Sequence, residues 1–437
     1  MHFLVAPAEM PCGIGGRPVV SGDVMTRDSL VGKTVLEIGT MLAAPFASHV
    51  LAQMGAEVIK LESPVGDPTR SLVRGGPSGT YIAYSRGKRS LCVDLATPGG
   101  QAVLARLLPT VDVVLHNLAP ASARRLGVTH EACIKANPDV VYCHIRGYND
   151  GPQADDLASN PIAEAATGVM DAHRIEGRPS RLGPSYHDQF AGCYAVIGIL
   201  AAMLDPHAGP EQRRIEVGLY ETGLHVAARD YAGVQLKMHL TGRPDPEPSG
   251  EFSMPGYGAY ETADGRWIYL VMLTDRHWAD FWRALDTPMP PDTTTLRARK
   301  KQRDAVEALV REAVARFSYD DLAALLAAGG TGFTEVLPME RVLDAPQARH
   351  GHKVAHVEFQ QLAFDLPDLP FAWDAASRPE RPPPLLGEHT RAVLGELGFS
   401  AQECEGLVAT GHAVEPAPGA PVWAPLREKT VAEPSQT

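Results

Sequence analysis

Asp188 is the side chain whose surroundings in the sequence point most directly to covalent chemistry. It lies in RLGPSYHDQFAGCYAVIGILAAML (181–204), just ahead of a long apolar run that contains the small residues Ala191 and Gly192 near its start. A carboxylate there has two interpretations. It could cap a helix by accepting backbone N–H bonds, worth about 0.5–2 kcal/mol. It could instead attack an activated acyl carbon, with nearby backbone N–H groups to stabilise the oxyanion. Position alone does not separate the two.

Three common kinds of cofactor or catalytic site are missing from the sequence. The loop after the first predicted strand, residues 38–45, holds one glycine instead of a G-x-G-x-x-G run, which argues against nicotinamide or flavin binding. The 16 histidines form no H-E-x-x-H motif, and His350 and His352 lack a cluster of further ligands. No G-x-S-x-G elbow marks a serine nucleophile. We therefore expect no metal and no tightly bound cofactor.

The elements that must position Asp188 alternate between strands and helices. The predicted strands are 33–39, 57–62, 90–96, 111–117 and 139–147. Pro45 suits the first turn of the helix after the first strand, and Gly55 suits its end. This alternation predicts an α/β fold with a mostly parallel sheet flanked by helices on both faces. The apolar segment 192–204 is predicted as a buried helix because it is too long for a strand.

A change in composition predicts a second, smaller domain. Residues 240–258 are rich in Pro and Gly and indicate a linker, and a hairpin with Ala-Asp-Gly at its turn follows them. We expect a small α+β domain at 230–335 and a large domain made of 30–225 and 335–415. The remaining segments are interpreted as an N-terminal extension (1–29), with Met25 as an alternative start, and a tail (416–437).

The overall composition is that of a folded protein and excludes several partners. The chain has 437 residues, 44% of them hydrophobic, and its 40 basic and 52 acidic residues give a net charge of -12. This charge opposes binding to nucleic acid or to an anionic membrane. The six scattered cysteines suit reduced thiols. No run approaches the ~18 uncharged apolar residues of a membrane span, so we expect a cytoplasmic protein.

Five stretches, in order, resemble the class III CoA-transferases, which include formyl-CoA and carnitine CoA-transferases, the 2-methylacyl-CoA racemases and the mesaconyl-CoA C1–C4 CoA transferase. The stretches are LVGKTVLEIGTMLAAPFASHVLAQMGAEVIKLESPVGDPTRS, RGKRSLCVDLATPGG, VVLHNLAPASARRLGV, SYHDQFAGCYAVIGILAAML and PPPLLGEHTRAVLGELG. Together they span about 30–400. The resemblance implies an interlocked homodimer whose substrates are an acyl-CoA, with CoA as the transferred group, and a small carboxylic acid.

The resemblance also implies roles for particular residues. Asp188 matches the family's nucleophile, which forms a covalent aspartyl intermediate. The implied CoA contacts are Met41, Leu42, Ala43, Val93, Asn117, Arg125 and Leu126. Local cations for the CoA phosphates are Lys88, Arg89, Arg124 and Arg146, each with solvated surface charge as its alternative. Ser63 stands where the family often has a basic residue, so the adenine end of the pocket is expected to differ.

The residues ahead of Asp188, at 158–161, help to distinguish CoA transfer from other reactions of the family. The racemases carry Gly-His-Asp where this chain reads Ala158-Ser159-Asn160-Pro161, and a two-base proton shuttle lacks its histidine. The Asn-Pro pair instead resembles the mesaconyl-CoA branch, so intramolecular CoA transfer is the alternative to transfer between molecules. A non-catalytic acyl-CoA-binding subunit is a further alternative.

Two further expectations concern the acyl pocket. The segment 255–258 is a candidate for the loop that covers the nucleophile, with a plain turn as its alternative. Arg181 or Arg229 would serve an acidic acyl chain.

Overall fold

The computed structural model describes residues 29–73, 76–243, 254–350, 354–360, 362–371 and 381–416. The predicted N-terminal extension with Met25, apart from its last residue, and nearly all of the predicted tail lie outside these residues. The strands, in chain order, are β1 Thr34–Ile38, β2 Glu57–Glu62, β3 Lys88–Val93, β4 Val113–His116, β5 Val141–Arg146, β6 Arg174–Ile175, β7 Arg178–Pro179, β8 Arg214–Gly218, β9 Tyr257–Glu261, β10 Trp267–Val271, β11 Gly332–Glu335, β12 Val354–Phe359, β13 Leu362–Pro367 and β14 Ala413–Val414.

Helices connect most of these strands. In chain order they are α1 Ala43–Gln53, α2 Gly79–Ser85, α3 Pro98–Leu107, α4 Pro120–Leu126, α5 His130–Ala136, α6 Asn160–Ala166, α7 Val169–Ala172, α8 Tyr186–Leu204, α9 Leu219–Val226, α10 Ala228–Thr241, α11 Asp275–Ala284, α12 Leu296–Lys301, α13 Arg303–Val314, α14 Tyr319–Gly329, α15 Pro346–Arg349, α16 Thr390–Glu396 and α17 Ala401–Ala409.

The main sheet has seven strands in the order β14-β3-β2-β1-β4-β5-β8. All neighbouring pairs are parallel except β14 with β3. The chain moves outward from β1 in one direction through β2 and β3, then returns to the other side of β1 as β4. Ligands of open α/β sheets bind at such a reversal, beyond the carboxyl ends of the strands.

Helices cover both faces of this sheet, as predicted. One face packs against α1 and α8 through a core that includes Leu51, Ala195 and Ile199, all fully buried. The other face packs against α3 and α16 through a second core that includes Val103 and Leu394. Strands buried on both faces explain why their sequences are almost continuously apolar. The prediction of an α/β fold with a mainly parallel sheet is confirmed.

Helix α8 corrects one expectation from the sequence. Its 19 residues have a mean hydropathy of 1.3, so length and composition alone would allow it to cross a membrane. The expectation that no segment approaches this limit is wrong. A single such helix is weak evidence for a membrane, because core helices have the same character, and α8 packs against α1, β5 and β8.

The predicted hairpin is present and belongs to a separate hydrophobic core. Strands β9 and β10 pair antiparallel, with β11 on the other side of β10. They pack against α11, α13 and α14 around Trp278, Phe281 and Val310, which are fully buried. A second hairpin, β12–β13, places Phe359 against Tyr81 of α2.

Candidate active site

The start of helix α8 is held by a side chain from another helix. The residue before the helix, Ser185, makes no side-chain cap, and Asp188 is the third residue of α8. The Asn160 side-chain oxygen accepts hydrogen bonds from the backbone N–H groups of His187, at 2.9 Å, and Asp188, at 3.3 Å. Asp188 is therefore not the helix cap, which leaves its carboxylate available for other interactions.

A second carboxylate lies behind Asn160. Glu164, whose side chain is fully buried, accepts a short hydrogen bond from the Asn160 amide and one of 3.4 Å from the Leu182 N–H. The Arg181 guanidinium lies 3.8 Å from the same carboxylate. One carboxamide thus bridges Glu164 and the backbone of Asp188.

The electrostatics of Asp188 suit a nucleophile that works near neutral pH. Burial raises the pKa of its carboxyl, Arg181 lowers it and Glu164 raises it again, and the resulting pKa is about 6. Within the described residues, no side chain or backbone N–H donates to its carboxylate oxygens. At pH 7 the group is mostly ionised yet poorly solvated, which is the state a carboxylate needs to attack a thioester.

Gly192 fixes the direction in which Asp188 faces. A Cβ atom added to Gly192 would lie 3.0 Å from the Ala43 carbonyl oxygen and 2.7 Å from the Phe46 Cδ1, so α8 meets the first turn of α1 at this point. Asp188 lies four residues earlier on α8 and shares that face. Asp188 is therefore expected on the side of α8 that meets α1, although neither Asp188 nor the loop residues Met41, Leu42 and Ala43 are among the residues that line the cleft described below.

This loop is fastened on both sides. Asn117 donates to the Thr40 carbonyl and accepts from the Thr40 N–H, both at 2.9 Å. The Met41 N–H donates to Asp67 at 3.3 Å, and Met41 has a left-handed backbone with a φ of 65°. A non-glycine residue in this conformation is strained, and such strain concentrates at functional sites.

A cleft of about 280 Å³ opens beside the loop, at the carboxyl ends of β1, β2 and β3. Val93, Arg125 and Leu126 line it, as does Ser63. These predicted residues, which are far apart in the sequence, thus share one cavity at the point where the strand order reverses. Asn117 holds Thr40, another lining residue, instead of lining the cleft itself.

Two of the predicted phosphate-binding cations have other roles. Lys88 is completely buried, and its ammonium group donates to Glu37, Ser48 and the Pro45 carbonyl. Arg89 makes two hydrogen bonds to Glu396, of 2.7 and 2.8 Å. Both residues stand at the start of β3, whereas the cleft lies beyond its end. Neither position fits phosphate binding, so both are removed from the candidate site.

Arg146 and Arg124 line a different cavity, of about 390 Å³, together with His144 and Glu216. Arg146 lies 3.0 Å from Asp150 and 3.2 Å from Glu216, so its charge is already balanced. The prediction that Arg146 meets the same ligand as Arg125 does not fit this arrangement.

The remaining sequence expectations concern the loop at 255–258 and the two arginines proposed to bind an acidic acyl chain. Gly256 packs against Met272 and donates its N–H to Glu307 at 3.1 Å, which favours a turn anchored in the smaller core. Arg229 is exposed and pairs with Asp230 at 3.1 Å. Arg181, in contrast, lies beside the Asp188 site.

Sequence reasoning missed the side chains that hold the site in place. Asn160 is part of the Asn-Pro pair that resembles the mesaconyl-CoA branch, but the pair gives no signal that its side chain holds the start of a different helix, α8. The structural role of Glu164 has no comparable signal, since a lone acid in a helix usually faces solvent. Within the described ranges, no group of three His, Cys, Asp or Glu side chains could hold a metal ion.

Comparison with known proteins identifies the family of the chain. The profile of CoA-transferase family III matches residues 30–390. The succinate–glutarate CoA-transferase of Agrobacterium fabrum is 30% identical, over 84% of this chain and 95% of its own length. The succinyl-CoA–D-citramalate CoA-transferase of Chloroflexus aurantiacus is 28% identical, over 83% of this chain and 92% of its own length.

A solved structure gives the same result for the fold. A CaiB/BaiF family protein from Brucella suis superimposes with a TM-score of 0.74 and 26% identity, over 84% of this chain and 99% of its own. With the match to the family profile over most of its length, the chain belongs to CoA-transferase family III and is an acyl-CoA:carboxylate CoA-transferase.

Proposed function

We propose that the protein transfers CoA from an acyl-CoA thioester to a carboxylate through a covalent intermediate on Asp188. The observation that carries this proposal is the position of Asp188. It is a partly buried carboxylate with a pKa of about 6, at the start of α8 and four residues before the glycine that contacts the first turn of α1.

The reaction follows from the chemistry of a carboxylate nucleophile. Asp188 attacks the thioester carbonyl, and the C–S bond breaks to give a mixed anhydride and the CoA thiolate. The thiolate attacks the aspartyl carbonyl, which releases the donor carboxylate and leaves an aspartyl-CoA thioester. The acceptor carboxylate then attacks this thioester, and the thiolate attacks the new anhydride at the acceptor carbonyl. The products are the new acyl-CoA and the free Asp188 carboxylate.

No step in this sequence requires a proton donor or acceptor. Every nucleophile is an anion, and every leaving group departs as one. What the protein must provide is an ionised carboxylate and protection of the anhydride from water. Partial burial of Asp188 would limit access of water, and a pKa of about 6 still leaves its carboxylate mostly ionised at pH 7.

The cleft beside the loop is the proposed CoA site. Its position beyond the carboxyl ends of the strands is typical of nucleotide-like ligands. Arg125 would meet a phosphate there, because its guanidinium suits phosphate geometry. The pantetheine arm would pass Met41, Leu42 and Ala43 to bring the thioester to Asp188.

A homodimer is part of the proposal. Helices α8 and α10 leave large apolar side chains exposed on the single chain. They include Phe190, Ile197, Leu236 and Leu240, which are 42%, 60%, 60% and 75% exposed. Apolar patches of this kind commonly mark protein–protein contacts. We propose that a second copy of the chain covers them.

Trapping the intermediate tests the proposal. The protein is incubated with a panel of acyl-CoA esters, quenched with hydroxylamine or borohydride and examined by peptide mass spectrometry. We expect a hydroxamate or a reduced side chain at Asp188, and none in the Asp188→Ala variant. A modification at another residue, or none with any ester, would contradict the mechanism.

The same incubations separate transfer between molecules from transfer within one molecule. An added carboxylate should appear as its CoA ester when transfer is intermolecular. An unsymmetrical dicarboxylic ester that isomerises without any acceptor would identify the intramolecular alternative.

A further inference from the structure

We propose that Arg181 binds the distal carboxylate of a dicarboxylic acyl group whose thioester end reaches Asp188. This inference rests on the proposed function, because it concerns the acyl chain that is attached to the nucleophile. It adds a specificity-determining residue and a class of substrate.

The first observation is that the Arg181 guanidinium has unused donors. Its nearest acidic oxygen, on Glu164, is 3.8 Å away, which is an ion pair but too long for a hydrogen bond. Within the described residues it makes no hydrogen bond, and its side chain is 46% exposed. A guanidinium in this state can offer a planar pair of N–H groups to an incoming carboxylate.

The second observation is that linked side chains connect Arg181 to the start of α8, where Asp188 lies. Arg181 interacts electrostatically with Asp188, and Asn160 links Glu164, the ion-pair partner of Arg181, to the Asp188 backbone. A charge bound by Arg181 would therefore lie only a short acyl chain away from the reacting carbonyl.

The charge balance of the reaction also favours an anionic group here. Asp188 loses its negative charge when it becomes an anhydride or a thioester. Arg181 then loses one of the two anions that face it, and only Glu164 remains. A second carboxylate on the substrate would restore the balance during the covalent steps, when the site is least able to admit water.

Other arginines of the region fit this role less well. Arg229 is 86% exposed and paired with Asp230. Arg174, on β6, is paired with Asp171 of α7. Arg178, at β7, has no described contact with Glu164 or Asp188, which makes it a suitable control.

Isotope exchange between a free acid and its own CoA ester provides the test. Labelled succinate with succinyl-CoA is compared with labelled butyrate with butyryl-CoA, which has the same chain length but ends in a methyl group. We expect wild-type protein to prefer the succinyl pair. In Arg181→Met the ratio of kcat/KM for the two pairs should fall by about 10- to 100-fold, the usual range for one charge-assisted contact. Arg181→Lys should lie between, and Arg178→Met should keep the wild-type ratio.

Each other outcome has a defined meaning. Equal losses for both pairs in Arg181→Met would overturn the proposal in favour of a role through Glu164 alone. An unchanged ratio, or a wild-type preference for butyryl-CoA or for other esters that lack a second carboxylate, would also overturn it while leaving the Asp188 mechanism intact. Absence of exchange with every ester, together with no trapped Asp188, would instead remove the proposed function and this inference with it.

Discussion

Glu37 and Asp188 are both carboxylates beside the main sheet, Glu37 fully buried and Asp188 partly buried, and the groups that face them differ. Glu37, on β1, accepts from the Lys60 and Lys88 ammonium groups, each at 2.7 Å, and from the Ser48 hydroxyl at 2.7 Å. Asp188 receives no hydrogen bond to its carboxylate from the described part of the chain and faces one guanidinium and one further carboxylate.

The pKa values of the two carboxyl groups shift in opposite directions. Burial would raise the pKa of Glu37, but Lys60 and Lys88 outweigh burial and lower that pKa to about 2. Burial also raises the pKa of Asp188, and there the opposing cation is too weak to compensate, so the pKa reaches about 6. Burial alone therefore does not make a carboxylate reactive. Incomplete compensation does, because an ion with few partners gains most by forming a bond.

The largest expected effect separates the two carboxylates by activity. Asp188→Asn should reduce CoA exchange by about 10⁴-fold or more, because the attacking anion is lost. Its free energy of unfolding should stay the same or rise, because an uncompensated buried charge disappears. Steady-state exchange kinetics and urea denaturation measure both quantities. A variant that keeps a tenth of the activity would show that Asp188 is not the nucleophile.

The second prediction separates them by stability. Glu37→Gln should lower the free energy of unfolding by about 3–5 kcal/mol, because Lys60 and Lys88 stay buried without their shared anion. Glu396→Gln, which breaks the more exposed pair with Arg89, is the control and should cost about 0–1 kcal/mol. Urea denaturation of both variants gives the comparison. Equal costs would mean that the buried network contributes no more than a surface pair.

A third prediction concerns binding at the cleft. Arg125→Ala should raise the KM for acyl-CoA about 10-fold with little change in kcat, as expected for the loss of one phosphate contact remote from the reacting atoms. Arg106→Ala is the matched control, since Arg106 stacks on Phe399 away from the cleft. Initial rates at varied acyl-CoA concentrations measure the effect. A fall in kcat alone would place Arg125 elsewhere in the mechanism.

The smallest effect is expected in the pH dependence. Exchange should rise with pH through about 6, as Asp188 ionises. Glu164 raises this pKa and Arg181 lowers it, so Glu164→Gln should move the acidic limb to lower pH and Arg181→Met to higher pH. Profiles of kcat/KM against pH that coincide in all three proteins would contradict the assignment.

Ionisation of Asp188, which should raise activity as pH increases, should lower the stability of the fold over the same pH range. The folded-state pKa of Asp188 is about 6, above its ordinary value of 3.8. The folded state therefore holds this proton more tightly, and Asp188 should reduce the free energy of unfolding as pH rises from about 4 to about 6. Asp188→Asn should remove that contribution from a pH series of urea denaturations.

Local pattern was enough to predict the elements around β1. The strands at 57–62 and 139–147 and the helix at 192–204 follow from apolar runs and chain breakers, and the structure has a strand or helix at each. Val93 and Arg125 share a cleft because parallel strands end at one edge of a sheet, and the resemblance to a family supplied their positions.

Lys88 shows where sequence reasoning fails. A lysine at the start of a strand looks like surface charge, and only the pairing of β1 with β2 and of β2 with β3 brings it to Glu37. The role of Asn160 could not be predicted for a similar reason, because the N–H groups that it binds belong to a helix that starts far along the chain. Contacts between distant segments carry no signal in a local window.

The absence of a side chain at Gly192 allows α8 and α1 to pack closely. A methyl group there would lie 2.7 Å from the Phe46 ring and 3.0 Å from the Ala43 carbonyl oxygen, so Gly192→Ala would require the ring to turn or the two helices to separate by a few tenths of an ångström. Under the proposed function, the distance between Asp188 and the thioester would depend on this contact. Natural variation or engineering of acyl preference has more room to act on the segment between β7 and α8, which carries Arg181, than on this contact between helices.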